Sequence, residues 1–115
     1  MEQPASGMVR SVLYLQPRDG DYQRVVDFYR RHQILGRAAA QKGCRSSDLQ
    51  VPSTGLGPLL VTALWDSADD YRGWLDNEFR KRRGTELSEL VEESAGGMRG
   101  EVYEVVLSAG AGGAG

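Results

Sequence analysis

The stretch that decides the fold runs from Leu59 to Leu75 and reads LLVTALWDSADDYRGWL. Its first part, up to Trp65, is a nearly continuous apolar run, which is typical of a strand covered on both faces. Ser67 then stands at the N-cap position of a helix, and aspartates follow in the first turn, where the positive end of the helix dipole favours carboxylates. The sequence therefore predicts a buried strand that passes directly into a capped helix.

That helix carries an aromatic face. Tyr71, Trp74 and Leu75 stand at positions i, i+3 and i+4, so their side chains share one side of the helix. Together with Trp65 they are expected to gather at one end of the strand. Such a cluster either walls a ligand pocket or simply fills a small core, and the sequence leaves both interpretations open.

The segments on either side complete the order β-α-β-β-α-β. This is the split βαβ arrangement of a ferredoxin-like α+β fold, with a four-stranded antiparallel sheet and helices on one face. The predicted domain spans residues 8–107; residues 1–7 and the Gly/Ala tail 108–115 are expected to be disordered. The predicted strands are 8–15, 44–51, 59–65 and 101–107, and the predicted helical segments are 22–32, 34–42, 67–77 and, after a charged segment 78–83, 85–93.

Composition excludes several classes of protein. The 115 residues carry 14 basic and 16 acidic side chains, a net charge of -2, so neither nucleic acid nor an anionic membrane is an expected partner. No apolar stretch approaches the length of a membrane span and the first residues lack a signal-peptide pattern, so a cytoplasmic location is expected. Cys44 and His32 are single residues of their kinds, which argues against a disulfide or a cysteine- or histidine-based metal site.

The face of the sheet that carries no helices predicts a homodimer. On the strongest strand this face holds either Leu60, Thr62 and Leu64 or the opposite set, and both sets are too apolar to face water. A second sheet is expected to cover it, and the simplest source is a twofold copy of the same chain.

At this point the sequence resembles the antibiotic biosynthesis monooxygenase family of dimeric α+β barrel proteins. The most specific segment is Trp65-x-Ser67-x-x-x-Tyr71-x-x-Trp74-Leu75, which is similar to that family's strand-to-helix junction; Gly43-Cys44 and the closing 102–106 segment add to the resemblance. The family includes cofactor-free oxygenases of aromatic polyketides, heme-degrading enzymes, quinol oxygenases and proteins without established chemistry. The resemblance implies the fold more strongly than the reaction.

The heme-degrading branch of the family does not match. Its members place a histidine ligand ten positions after the tryptophan that Trp74 resembles, where this chain has Gly84. They also use an asparagine in the first strand, where this chain has Ser11, Val12 and Leu13. His32 stands on a different helix, so heme binding is not expected.

The branch that oxidises anthrones matches better. The resemblance aligns Trp65 and Tyr71 with aromatic pocket residues of those enzymes, while the asparagine that they can place four residues before the tryptophan is Val61 here. The resemblance thus implies a cofactor-independent monooxygenase, with molecular oxygen as co-substrate and neither flavin, heme nor metal. Its expected substrate is an aromatic polyketide or a related phenolic or anthrone-type intermediate of natural-product biosynthesis.

Such chemistry needs a dry pocket, a base and donors for the substrate anion. The expected catalytic residues are His32 as the base, with the Trp65 indole N–H and the Tyr71 hydroxyl as donors. His32 extends the buried stripe of the first helix, and its alternative role is a core histidine bonded to a backbone carbonyl. The expected substrate-binding residues are Trp74, Tyr14, Tyr29, Val61 and Ala63.

Two other functions remain open on the sequence. A cyclase or isomerase of the same fold would use His32 and Tyr71 to move protons without O2. A noncatalytic ligand-binding dimer would use the aromatic residues only as core. The basic run 80–83 is flanked by Glu78, Glu86 and Glu89, so we interpret it as a solvated, salt-bridged face rather than as a phosphate site.

Overall fold

The structure, a computed structural model, describes residues 2–3, 7–93 and 97–110. Short 3-10 turns at Arg18–Gly20 and Ser88–Leu90 connect the longer elements. In chain order these elements are β1 (Glu2–Gln3), β2 (Val9–Leu15), α1 (Tyr22–Arg31), α2 (Ile34–Ala39), β3 (Cys44–Gln50), β4 (Leu59–Trp65), α3 (Ala68–Leu75), α4 (Glu78–Leu87), β5 (Met98–Glu104) and β6 (Ser108–Ala109).

The main sheet has four antiparallel strands in the order β3-β4-β2-β5. The two central strands, β2 and β4, pair along their whole length, from Val9 opposite Trp65 to Leu15 opposite Leu59. This is the predicted ferredoxin-like α+β fold, and the predicted bounds of the strand 59–65 are confirmed.

The core lies between one face of this sheet and the helices. Because side chains alternate along a strand, Val9, Leu15, Leu59 and Trp65 all face the helices and are buried. The helices bury apolar side chains against them, namely Val25, Phe28 and Tyr29 of α1, Ile34 and Ala38 of α2, Trp74 of α3 and Leu87 of α4. A cavity in this fold is therefore expected between the sheet and the helices.

The junction between β4 and α3 is held by two short polar contacts. The Ser67 side chain accepts a hydrogen bond from the backbone N–H of Asp70 at 3.1 Å, which confirms the predicted cap. The carbonyl of Gly43 accepts from the N–H of Asp66 at 2.7 Å, and Gly43 has a φ of +80°. A Cβ at Gly43 would overlap the Asp70 carboxylate, so glycine is required at this approach.

Several predicted element boundaries are wrong; α2, for example, ends at Ala39 rather than at residue 42. The last strand of the sheet is Met98–Glu104 rather than 101–107. The charged segment 78–83 is helical, because the Asn77 side chain accepts from the backbone N–H of Arg80 at 3.2 Å and so caps a new helix that continues to Leu87.

The chain ends also differ in part from the prediction of disorder. Glu2–Gln3 pairs antiparallel with Ser108–Ala109 in a small separate ladder. Backbone hydrogen bonding needs no apolar side chains, so the Gly/Ala-rich composition does not prevent it. The remaining terminal residues, 1, 4–6 and 111–115, lie outside the described part of the chain.

The second face of the sheet is more mixed than the sequence predicts. The strand β4 presents Leu60, Thr62 and Leu64 there, but Arg10 lies opposite Leu64 and Asp48 lies opposite Thr62. Charged neighbours on adjoining strands thus interrupt the apolar row, because strand alternation places them on the same face. None of the helices in the described ranges has the length and apolarity that a membrane crossing requires.

Candidate functional site

A cavity of about 120 Å³ lies between the sheet and the helices. Its apolar wall includes Val61 and Ala63 of β4 and Trp74 of α3, three residues that the sequence predicts to bind substrate. Leu13 of β2 and Ile34 of α2 extend this wall. The polar residues at the cavity are Ser11, Tyr29, Ser47, Thr62, Tyr71 and Arg80. An apolar cavity with a few polar groups is the usual form of a small-molecule site.

Tyr29 and Tyr71 both reach the cavity, one from α1 and one from α3. Tyr29 is only 6% exposed, and Tyr71 is half-buried. Burial raises the pKa of both hydroxyls, and the positive charge of Arg80 opposes that rise. Among the described residues neither hydroxyl has a hydrogen-bond partner, so both are available to a ligand.

Arg80 is the cavity residue that the sequence interpretation missed. Lys81 and Arg82 are exposed, as predicted for the basic run, but Arg80 and Arg83 are half-buried. Since residues at i, i+4 and i+7 share a helix face, Arg80 points into the cavity beside Gly84 and Leu87. The spacing of Arg80 from the buried Leu87 is the sequence signal that would have identified it.

Trp65 does not line the cavity but packs against residues that do. Its side chain is fully buried, and its indole N–H donates to the Ser11 hydroxyl at 3.1 Å. Its ring lies 5.6 Å from the ring of Tyr71, centroid to centroid. The predicted role of Trp65 as a donor to substrate therefore does not fit this arrangement, because its N–H is already bonded. Ser11, which also borders the cavity, keeps its own O–H free to donate.

His32 lies outside the cavity, which corrects the expectation that the buried stripe of the first helix carries it there. It is the C-cap residue of α1 and is half-buried. Its Nδ1 lies 2.8 Å from Arg83 Nη1, and its ring packs edge-on against Phe28 at 4.7 Å. His32 follows the last helical residue of α1, so it no longer continues the helix face that packs on the sheet. Its ring is directed toward α4 instead.

Tyr14 also lies away from the cavity. It alternates with Leu13 and Leu15 on β2 and therefore points to the opposite face of the sheet. There the Arg99 guanidinium lies 4.3 Å from the centre of its ring. The predicted substrate-binding role of Tyr14 is not compatible with this position in a single chain.

An open groove of about 770 Å³ adjoins the cavity between α1, α2 and β3. Tyr29 and Leu35 border both spaces, so the groove and the cavity lie side by side. Arg30, Gln33 and Arg37 line its outer part.

Within the described ranges, no three His, Cys, Asp or Glu side chains come together as a metal site. Cys44 is half-buried, and burial raises the pKa of its thiol. The polar side chains at the cavity supply hydroxyl groups and one guanidinium.

Comparisons with known proteins give the family. The sequence profile described as "Antibiotic biosynthesis monooxygenase" matches residues 8–82. No curated protein sequence matches the chain.

Solved structures share the fold. SnoaB of Streptomyces nogalater, described as a cofactor-independent oxygenase, has a TM-score of 0.69 at 16% identity, over 86% of this chain and 93% of its own. Rv0793 of Mycobacterium tuberculosis has a TM-score of 0.70 at 17% identity, over 85% and 94%. SO0527 of Shewanella oneidensis has a TM-score of 0.74 at 12% identity, over 95% and 100%. At such identities the likeness shows the fold and not a shared substrate.

Proposed function

The chain belongs to the antibiotic biosynthesis monooxygenase family, and we propose that it is a cofactor-independent monooxygenase. Its proposed substrate is an aromatic polyketide or a related phenolic or anthrone-type intermediate of natural-product biosynthesis, and molecular oxygen is the co-substrate. The description of SnoaB as a cofactor-independent oxygenase supports the type of reaction. The substrate class is carried over from the resemblance of Trp65, Tyr71 and Trp74 to the family's aromatic residues.

The observation that carries the proposal is a set of donors without partners in an apolar cavity. The Tyr29 and Tyr71 hydroxyls and the Arg80 guanidinium border the same space, and no ion pair of the described residues involves Arg80. In the described part of the chain, Arg83 Nε is the one fully buried side-chain polar atom without a partner, so these three groups remain accessible to water or to a ligand. A ligand oxygen that accepts from them would replace water.

The geometry fits oxygenation in which the substrate supplies the electrons. An ionised phenol or enol transfers an electron to O2, and the two radicals combine to a peroxide. A CH2 flanked by aromatic rings then becomes C=O, while the second oxygen atom leaves as water with the two hydrogens. Arg80 and the tyrosine hydroxyls are proposed to stabilise the anion, because they border the same largely apolar cavity and can donate to its oxygen.

The substrate base is not among the cavity residues in this proposal. His32, the expected base, is directed at Arg83. Both tyrosines have a raised pKa and are therefore neutral donors at neutral pH. We infer that the substrate enters as an anion or loses its proton to water, with Arg80 favouring the ionised form.

The shape of the site suggests how a polycyclic substrate is held. The cavity volume of about 120 Å³ is below the ~300 to 1,000 Å³ of typical ligand pockets. One ring is proposed to lie between Trp74 and the sheet, and the rest of the molecule to follow the groove past Leu35.

We also propose that the protein is a homodimer through the second face of the sheet. Leu60 and Leu64 of β4 lie on that face, and Tyr103 of the edge strand β5 is 51% exposed. Val106 and Leu107, just after this strand, are 67% and 61% exposed. A second copy of the sheet would cover these side chains.

The test is incubation of the purified, metal-free protein with a dihydroxyanthrone in the presence and absence of isotopically labelled O2. Incorporation of one labelled oxygen atom per product molecule is expected, and only with O2 present. Arg80→Gln is expected to reduce kcat/KM at least ~10-fold, the order of one charge-assisted hydrogen bond. Arg82→Gln is the matched control, because Arg82 is exposed on the same helix.

Three results would contradict the proposal. An isomeric or dehydrated product formed equally well without O2 would place the protein among cyclases or isomerases. Binding without turnover would leave the ligand-binding dimer as the function. Equal losses in Arg80→Gln and Arg82→Gln would show that the cavity is not where the reaction occurs.

A further inference from the structure

A polar contact joins the end of α1 to the middle of α4. Arg83 Nη1 lies 2.8 Å from Nδ1 of His32. A guanidinium can only donate, so Nδ1 is the acceptor and the ring proton of a neutral imidazole sits on Nε2. The sequence holds this one histidine, and the structure commits it to α4 rather than to the cavity.

The Arg83 side chain is 16% exposed, so this contact is made largely out of water. Glu86 Oε1 lies 2.9 Å from Arg83 Nε and balances the charge. The same Nε is buried without a well-aligned hydrogen bond in the described part of the chain. Glu86 therefore supplies charge, while His32 supplies the directional bond that fixes the guanidinium plane.

Besides this contact, two apolar side chains hold α4 against the rest of the molecule. Leu87 is its buried residue, and Phe79 packs only partly against the core. Arg37 of α2 lies over the Phe79 ring at 3.9 Å, and Arg83 lies 5.3 Å from the same ring. Helix position commonly comes from an amphipathic face packed on a core, and here that face is short.

Arg80 stands one turn before Arg83 on the same helix and borders the cavity. Beside it, a Cβ built on Gly84 would meet nothing within 4 Å, so no close contact at this position helps to fix α4. The contacts that hold Arg83 therefore contribute to the position of the Arg80 guanidinium.

We propose that His32 is a positioning residue: through its hydrogen bond to Arg83 it fixes the rotation of α4 and holds Arg80 at the cavity, where Arg80 selects anionic ligands. The role of Arg80 toward substrate rests on the proposed function, whereas the contact and its effect on Arg80 can be measured without any substrate.

The first measurement is ligand-free NMR of the His32 ring nitrogens, which is unambiguous because the chain contains one histidine. The expected result is that the uncharged ring carries its proton on Nε2, with Nδ1 as the acceptor. In Arg83→Met the Nδ1 signal is expected to move toward that of a free imidazole. An Nδ1–H tautomer, or no change in Arg83→Met, would overturn the contact.

The second measurement separates positioning from general stability. It uses para-nitrophenolate as an anionic probe and nitrobenzene as a neutral one, with binding followed by absorbance and tryptophan fluorescence. His32→Leu fills the ring volume but removes the acceptor, whereas His32→Asn keeps an acceptor near the Nδ1 position. We expect His32→Leu to weaken para-nitrophenolate binding at least ~10-fold with nitrobenzene binding unchanged, and His32→Asn to restore the affinity to within about threefold of wild type.

Two outcomes would overturn the positioning role. Equal loss of both probes in His32→Leu would show a structural role only. Failure of His32→Asn to restore anion binding, with a folded protein by thermal denaturation, would show that the imidazole itself is required.

A wild type that binds neither probe would count against the proposed function, and the positioning role would then be decided by the pKa of Tyr71. Arg80 lowers that pKa against the effect of burial. The pKa of Tyr71 is therefore expected to rise in His32→Leu, where Arg80 moves away, and in Arg80→Gln, where the charge is removed. It is not expected to rise in His32→Asn. Labelled tyrosine NMR, assigned with Tyr71→Phe, gives the value, and an unchanged pKa in His32→Leu would refute the inference.

Discussion

The indole N–H of Trp65 donates to the hydroxyl of Ser11 across the two central strands, at 3.1 Å and out of contact with solvent. These residues lie on neighbouring strands and face the helices. The contact explains why Trp65 supports the ring of Tyr71 instead of contacting a ligand. It also leaves the Ser11 hydroxyl with one free proton at the cavity.

Ser11→Ala is expected to leave the buried N–H of Trp65 without a partner and to lower the free energy of unfolding by about 1 to 3 kcal/mol. Ser47→Ala is the matched control, because Ser47 borders the same cavity from β3 without this bond. Urea denaturation measures both. A loss in Ser47→Ala as large as that in Ser11→Ala would contradict the explanation.

Gly43→Ala is expected to destabilise the strand-to-helix junction by more than the ~1 to 2 kcal/mol of a left-handed alanine alone. The added methyl group would overlap the Asp70 carboxylate, which also contacts the capping Ser67. Gly20→Ala is the control, since Gly20 has a φ of +66° but no atom within 4 Å of an added Cβ. Equal losses of unfolding free energy in the two variants would show that the overlap has no effect.

The buried Tyr29 predicts a decrease of stability at high pH. Its pKa is raised in the folded protein, so above ~10, the pKa of an unfolded tyrosine, the unfolded chain releases a proton that the folded chain keeps. The stability that Tyr29 contributes is present below ~10 and is lost as the pH rises toward its folded pKa, with a slope that approaches ~1.4 kcal/mol per pH unit.

Tyr29→Phe removes this slope, so the difference in unfolding free energy between variant and wild type is expected to grow in favour of the variant above ~10. Urea denaturation at a series of pH values measures it. Parallel curves for the two proteins would show that Tyr29 titrates normally.

Leu64→Asp is expected to separate the proposed dimer. An aspartate there would face the partner's sheet, whereas in the monomer it lies opposite Arg10 and can pair with it. Leu56→Asp, at a loop residue that is 78% exposed, is the control. Analytical ultracentrifugation is expected to give a monomer for the first variant and a dimer for the second. A dimeric Leu64→Asp protein would exclude this face as the interface.

Most of the architecture could be predicted from local patterns. The apolar run before Trp65 and the capping Ser67 both act within a few residues, so their spacing alone indicates a strand followed by a helix. The helix from Glu78 was missed because its charged residues suggest solvent, although Asn77 offers the cap. The ladder between Glu2–Gln3 and Ser108–Ala109 has no local signal, since the two segments are distant in the chain.

The candidate site could be predicted only in part. Tyr29, Tyr71 and Trp74 were found because each lies on an apolar helix face, and such faces turn toward the sheet. To predict the position of Tyr14 one must know which residues of β2 face the helices, and a shift of one residue along the strand reverses that assignment. The position of His32 required the relative arrangement of α1 and α4, which no spacing within either helix contains, whereas the one local signal for Arg80 is its spacing from the buried Leu87.

The sequence by itself determined the order of elements, the strand-to-helix junction and the aromatic residues of the core, because these depend on periodicity and capping between near neighbours. Only the tertiary structure decided which polar groups reach the cavity. It directed Trp65 to Ser11 and His32 to Arg83, and it left Tyr29, Tyr71 and Arg80 facing the open space. The physical reason is that a hydrogen-bond donor bonds to the acceptor that lies within about 3 Å of it. Which acceptor lies there depends on how separate elements pack, and therefore on residues far apart in the chain.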